Sequence, residues 1–90
     1  MMGQDGYTVE MPAAAWRRLR KPPRALAAHF HSELRRMAAE FTAHPGRGCG
    51  VRTLRARGRY VALVSVDHTM RRLTLAQVAA RRRSSLVGSG

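Results

Sequence analysis

RALAAHFHSELRRMAAEFTA, residues 24–43, is the stretch with the strongest periodic pattern in the chain. Its large apolar residues follow one another at steps of four, four, three and four, which places them on one face of an α-helix. These residues are Leu26, Phe30, Leu34, Met37 and Phe41. Pro23 precedes the stretch and His44-Pro45-Gly46 follows it, so the helix has a start and an end. The sequence predicts an amphipathic helix from about Arg24 to Ala43.

A second, shorter helix is predicted just before it. Pro12 suits the first turn of a helix, and residues 13–20 are mostly good helix formers, with Trp16 and Leu19 on one face. Pro22-Pro23 would end this helix. Because the link between the two helices is so short, we expect them to form a hairpin.

Strands are predicted on both sides of the helices. Residues 7–11 alternate, with Tyr7, Val9 and Met11 on one face. After a flexible connector, Gly46–Gly50, come a weakly alternating segment, an apolar central strand, a turn and a last strand. These four segments are Val51–Arg57, Tyr60–Val66, Asp67–Met70 and Leu73–Ala79. We expect the hairpin to pack against Val61, Leu63 and Leu75 or their alternate neighbours.

This order of elements predicts an α+β fold, β-α-α-β-β-β, with a helical hairpin packed on one face of an antiparallel sheet. The chain has 90 residues, which is one domain at most and excludes large cofactor-binding folds and barrel enzymes. Residues 1–6 are expected to be a flexible head, residues 7–83 the domain, and residues 84–90 a flexible tail.

Charge indicates the kind of partner. Seventeen Lys and Arg against five Asp and Glu give +12. Residues 1–45 hold seven basic and four acidic residues, or +3, and residues 46–90 hold ten and one, or +9. Such a surplus favours binding to a polyanion: nucleic acid, an acidic protein or an anionic membrane surface. The second half is the predicted polyanion-facing half.

Other chemistry receives little support from the residues. The single cysteine, Cys49, has no partner for an internal disulfide, which fits a reducing compartment. Arg47 and Arg52 are expected to lower its pKa. The four histidines have no spacing typical of a zinc site, so we expect no metal and no cofactor. No signal peptide or membrane-spanning stretch is visible, and a cytoplasmic location is expected.

The arginines of the second half are the candidate functional residues. In a meander, strand ends return to the same sheet edges, so several of these side chains are expected to converge. The residues are Arg52, Arg55, Arg57, Arg59, Arg71, Arg72, Arg81, Arg82 and Arg83. Clustered guanidinium groups bind phosphate bidentately and can stabilise the phosphorane formed when a ribose 2′-hydroxyl attacks its own phosphodiester. A solvated basic face that binds nucleic acid without cutting it is the other interpretation, and the residues leave both open.

The chain resembles the RelE/ParE superfamily of toxins from bacterial toxin–antitoxin modules. The resemblance covers about residues 7–83 and depends on the order of several loose motifs. They are Tyr7-Thr8-Val9-Glu10, the segment from Ala15 to Pro23, the long helix with Leu34, Met37 and Ala38, the Arg-rich segment from Val51 to Tyr60, and the last two strands.

The resemblance implies one of two activities. One group of the family cleaves mRNA on the ribosome with basic residues and no metal, and the other inhibits DNA gyrase. In both, a cognate antitoxin, here expected to be acidic, neutralises the toxin. By position, Arg55, Arg57 and Arg59 match the family's basic strand segment, and Arg81 matches an arginine near the end of the last strand.

We therefore predict a ribosome-dependent endoribonuclease. Its predicted catalytic residues are Arg55, Arg57 and Arg81, and its predicted nucleic-acid-binding residues are Arg52, Arg59, Arg71, Arg72, Arg82 and Arg83. The chain has Val61 where the family usually has Arg, and no Tyr or His near its C-terminus. A gyrase inhibitor and a small basic nucleic-acid-binding protein without catalysis are the alternatives.

Overall fold

The structure is a computed structural model in which residues 6–81 are described. Within these residues the fold consists of one α-helix and four strands, with a short 3-10 helix between the first strand and the α-helix. In chain order they are β1 (Thr8–Glu10), the 3-10 helix (Ala13–Trp16), α1 (Arg24–Ala43), β2 (Cys49–Ala56), β3 (Tyr60–Asp67) and β4 (Arg72–Ala80). The α+β class is confirmed. The predicted head and tail lie outside the described residues apart from Gly6.

Helix α1 has the bounds that the sequence predicts. It starts after Pro23, whose extended backbone (φ −60°, ψ 142°) leads into the first turn. It ends at His44, whose backbone N–H donates to the Glu40 carbonyl at 2.8 Å before Pro45 stops the helix. On the exposed side, Arg36 forms an ion pair with Glu33 one turn away.

The predicted helical hairpin is wrong, because the first helix is a single 3-10 turn. The pre-proline restriction keeps Lys21 out of the helical region, so fewer than ten residues are left for a helix before Pro22. An isolated helix that short is marginal, and four basic residues in residues 17–21 would repel one another along it. The segment instead places Ala15 in the core and turns at Arg17.

The sheet is mixed rather than antiparallel. Its strand order is β1-β4-β3-β2. Strands β2, β3 and β4 form the expected antiparallel meander, in which short turns fix the strand direction. Strand β1 pairs with β4 in parallel, from Thr8 opposite Arg72 to Glu10 opposite Thr74. Most of the chain separates these two strands, so no hairpin dictates their relative direction.

The core lies between α1 and one face of the sheet, which we call the inner face. Leu26, Phe30 and Leu34 are fully buried there. Strand β3 contributes the alternate neighbours of the predicted residues, because Leu63 is 37% exposed on the other side. The sheet residues of this core are Ala56, Ala62, Val64, Val66, Leu73, Leu75 and Val78. A bulge in the β3–β4 pairing next to Leu63 lets both Leu75 and Val78 point inward.

The opposite face of the sheet, the open face, has no helix over it in the described part of the chain. Val51, Thr53 and Arg55 of β2 occupy it, opposite Ser65, Leu63 and Val61 of β3 in the register. Strand β2 is also an edge strand of the described sheet, where it pairs only with β3. Within residues 6–81, no helix combines the length and apolar character that crossing a bilayer requires.

Replacing Phe30 with alanine tests this core. Phe30 is fully buried in the middle of the α1 stripe, so Phe30→Ala is expected to lower the free energy of unfolding by about 3–5 kcal/mol. Urea denaturation followed by circular dichroism measures the change. Val51→Ala is the control: Val51 is 67% exposed on the open face, and its loss is expected to change stability by about 0.5 kcal/mol or less. Equal stabilities for the two variants would contradict the core assignment.

Candidate nucleic-acid interface

Four arginines meet at the end of the sheet where β2 turns into β3. The β2–β3 pairing ends with Ala56 opposite Tyr60, and Ala80 of β4 lies opposite Tyr60 on the other side. The Arg81 backbone N–H donates to the Arg59 carbonyl, which continues that pairing by one residue. We call the residues gathered here the sheet-end arginines: Arg55, Arg57, Arg59 and Arg81.

The strand pattern and the turn present these side chains to solvent. Arg55 lies on the open face opposite Val61, whereas its neighbour Ala56 is buried on the inner face. All four sheet-end arginines are exposed, and none has a carboxylate partner within residues 6–81. The Arg59 guanidinium carbon lies 5.9 Å from the centre of the Tyr60 ring, a distance at which a cation and an aromatic face attract.

The turn itself holds Arg57 in an unusual backbone conformation. Arg57 has φ 54° and Gly58 has φ 71°, and the Arg59 N–H donates to the Ala56 carbonyl at 3.2 Å. Tight hairpins favour positive φ at both central residues, and glycine adopts it without strain. An arginine in this region is strained by about 1–2 kcal/mol. Arg71 in the β3–β4 turn has the same φ of 54°, so this conformation belongs to both turns of the meander.

The sheet-end arginines present hydrogen-bond donors whose chemistry suits phosphate. Each guanidinium group offers a planar fork of donors that matches two phosphate oxygens. The described residues place no histidine or carboxylate among them, so the local charge is wholly positive and proton transfer has no side-chain acceptor of those types there. The arrangement suits the binding of a phosphodiester backbone and the stabilisation of extra negative charge on phosphorus.

The other predicted arginines do not join this group. Arg71 and Arg72 lie at the opposite end of β3 and β4, about 25 Å away along an eight-residue strand. Arg72 Nε lies 3.7 Å from Glu10 Oε2. The Arg71 carbonyl accepts a hydrogen bond from the Thr8 N–H. The arginines therefore converge at one end of the meander only, because the two ends of β4 lie at opposite ends of the sheet. Arg82 and Arg83 lie outside the described residues.

Arg52 lies on the inner face instead of the open face. Its guanidinium carbon is 5.5 Å from the centre of the Phe41 ring, near the end of α1. The Arg52 side chain covers part of the inner face of β2. Its contact with Phe41 gives it a packing role.

A cluster around His68 was not predicted from the sequence. The Tyr7 hydroxyl and His68 Nδ1 are 2.6 Å apart, and the Phe41 and His68 rings meet edge to face at 4.8 Å. The cluster joins the start of β1, the end of α1 and the β3–β4 turn. Tyr7 and His68 are 61 residues apart, so no local pattern signals their contact. Gly46, in the segment predicted to be a flexible connector, packs against the His68 ring.

Cys49 faces an acid rather than a base. It starts β2 directly opposite Asp67, and the Asp67 carboxylate raises the pKa of the Cys49 thiol. The expected lowering by Arg47 and Arg52 is therefore wrong. The Met70 N–H donates to Asp67 Oδ1 at 3.0 Å and holds the pKa of that carboxyl below its usual value. Residues 6–81 contain no group of three His, Cys, Asp or Glu placed to share a metal ion.

Comparisons with protein-family models, with curated proteins and with solved structures found no match to this chain.

The packing of Gly46 leads to a stability prediction. A β-carbon at Gly46 would lie 2.6 Å from His68 Nε2, and the Tyr7 and Phe41 contacts hold that ring in place. Gly46→Ala is therefore expected to lower the free energy of unfolding by about 1–3 kcal/mol in urea denaturation. Gly50→Ala is the matched control, because nothing lies within 4 Å of its added carbon. If both variants unfold at the same urea concentration, the ring is not fixed as described.

The pairing of Cys49 with Asp67 leads to a reactivity prediction. Only the thiolate reacts with iodoacetamide, so the rate follows the thiolate fraction. Asp67→Asn removes the negative charge while keeping an oxygen that accepts from Met70. We expect the pH midpoint of alkylation to move down in this variant and the rate at neutral pH to rise. The urea-unfolded parent and variant should alkylate alike. A variant midpoint equal to that of the folded parent would exclude Asp67 as the cause.

Proposed function

We propose that this chain is a toxin of the RelE/ParE type that acts in the cytoplasm on mRNA at the ribosome. The observation that supports this best is the group of four exposed sheet-end arginines at the edge of an open sheet face, with no carboxylate partner in the described structure. The net charge of +12 suits a ribosomal partner.

Binding comes first in this proposal. The sheet-end arginines contact the phosphates of the mRNA on either side of the reacting linkage. Because each contact releases condensed counterions, affinity is expected to fall with salt. The open face beside them offers hydroxyl groups of Thr53 and Ser65 and the apolar surface of Leu63 to the sugar and base edges.

Cleavage follows the metal-free route of ribose phosphodiesters. The 2′-hydroxyl oxygen attacks the adjacent phosphorus, the bond from phosphorus to the 5′-oxygen breaks, and a 2′,3′-cyclic phosphate and a 5′-hydroxyl form. The 2′ proton passes to water, and water returns a proton to the leaving oxygen. Arg55, Arg57 and Arg81 stabilise the phosphorane, whose oxygens have more negative charge than those of the substrate.

An acidic antitoxin is the partner that this charge distribution fits. Carboxylates placed over the sheet-end arginines would speed association and block the phosphate contacts at the same time. The proposal therefore assigns one surface to two competing partners, the RNA and the antitoxin.

Lysine substitution separates catalysis from binding. Arg55→Lys, Arg57→Lys and Arg81→Lys keep the charge but lose the planar fork. We expect ribosome-dependent mRNA cleavage to fall by at least about tenfold in each variant, while RNA affinity changes by less than about threefold. The measurements are cleavage in a translation extract and RNA affinity at several salt concentrations. Arg35→Lys, on the exposed side of α1 away from the sheet-end arginines, is the control and should behave like the parent.

Several outcomes would contradict the proposal. Equal losses of cleavage and affinity across the series would leave a basic docking face without catalysis. RNA binding with no cleavage by the parent would have the same meaning. Inhibition of gyrase supercoiling by a parent that does not act on RNA would identify a gyrase inhibitor instead.

A further inference from the structure

A second basic surface lies outside the residues assigned so far. Between the 3-10 helix and the first turn of α1, the chain WRRLRKPPR, residues 16–24, has five basic residues among nine. All five are exposed. We call them the basic turn: Arg17, Arg18, Arg20, Lys21 and Arg24.

Apolar anchors hold the basic turn in place. Trp16 is half-buried, and its ring centre is 6.3 Å from that of the buried Phe30. Leu19 also packs against the core, and its N–H donates to the Trp16 carbonyl at 3.0 Å. Pro22 and Pro23 restrict the chain on the far side. The charged side chains are therefore presented by a structured turn.

The basic turn lies at the same end of the molecule as the sheet-end arginines. Strand β1 runs parallel to β4, and the 3-10 helix that follows it continues along β4. Helix α1 ends near Tyr7 and His68, beside the start of β4. Both α1 and β4 are about 30 Å long. The N-terminus of α1 therefore lies near the C-terminal end of β4, and Arg81 is the residue that follows β4.

Among residues 6–81, no acidic residue lies at this end. No Asp or Glu occurs in residues 11–32. Glu33 pairs with Arg36 in the middle of α1, and Glu10 lies near Arg72. Glu40 and Asp67 lie at the opposite end of the molecule. The net charge of +3 in residues 1–45 therefore understates the positive charge of the basic turn.

We propose that the basic turn is a second phosphate-binding element, which contacts the same RNA strand as the sheet-end arginines. The RNA backbone passes across the end of the molecule, from the open face of the sheet to the start of α1. This inference rests on the proposed RNA-directed function. The basic turn contacts the phosphodiester backbone without taking part in cleavage. Its contacts therefore determine the affinity and the path of the RNA strand.

A matched pair of double variants tests the proposal. Arg18→Gln with Lys21→Gln removes two charges from the basic turn. Arg35→Gln with Arg47→Gln removes two charges from exposed positions elsewhere. The probe is a fluorescent oligouridylate of about 12 nucleotides, within the site sizes of single-strand-binding folds. Its affinity for each full-length protein is measured by anisotropy at several salt concentrations.

The expected result is specific to the basic turn. The Arg18/Lys21 variant should bind about tenfold more weakly near 0.1 M salt, with a salt slope flatter by about 1.4, or 0.7 per lost phosphate contact. The Arg35/Arg47 variant should keep the parental slope. Arg18→Lys keeps the positive charge at this position and should bind like the parent. That result would show that the charge of the basic turn causes the effect. Circular dichroism melts confirm that every variant is folded.

Other results would overturn the inference in distinguishable ways. If the parent binds the RNA and the Arg18/Lys21 variant binds it equally well, the basic turn is not a contact and the proposed function stands. If both double variants lose the same affinity, net charge explains the effect. The same anisotropy measurement with fluorescent polyglutamate serves as a second probe, and a variant that loses binding to polyglutamate but not to RNA would indicate that the turn contacts an acidic protein. If the parent does not bind RNA at all, the proposed function fails first.

Discussion

The burial of one apolar stripe determines most of this structure. Leu26, Phe30 and Leu34 of α1 lose all contact with water only when they lie against the inner face of β3 and β4. Each such burial contributes about 1.5–3 kcal/mol, and no disulfide supplements it in residues 6–81. Because α1 is the one α-helix in residues 6–81, the described chain covers only one face of its sheet. The open face follows directly from this limit.

The same packing separates the charges. Because α1 returns along the sheet, its start lies beside the end of β4 and its end lies beside the start of β4. Basic side chains from both halves of the sequence therefore gather at one end of the molecule without acidic neighbours among residues 6–81, while Arg71 and Arg72 share the other end with Glu10, Glu40 and Asp67. A separation of this kind produces a directional field that orients a polyanion before contact. The proposed binding of RNA depends on this asymmetry and not on the net charge alone.

Local patterns predicted the elements better than they predicted how the elements pair. The bounds of α1 and the central position of β3 follow from periodicity and β-branched content within a few residues. The parallel pairing of β1 and the Tyr7–His68 contact depend on residues far apart in the chain. No short pattern encodes them. The expectation that several arginines converge at strand ends fits Arg55, Arg57, Arg59 and Arg81, whereas Arg71 and Arg72 lie at the β3–β4 turn, at the opposite end of β3.

The free edge of β2 has a consequence for how copies of this protein meet one another. Eight residues without proline leave one row of backbone N–H and C=O groups unpaired along the described sheet, which is a template for edge-to-edge association. Arg52 and Arg55 lie along this edge and Arg57 follows it, so two copies that approach in this way bring like charges together. That repulsion acts over about 10 Å at 0.1 M salt but only about 3 Å at 1 M. The arginines thus also oppose edge-to-edge pairing of two copies, and this opposition weakens in concentrated salt or when a polyanion neutralises them.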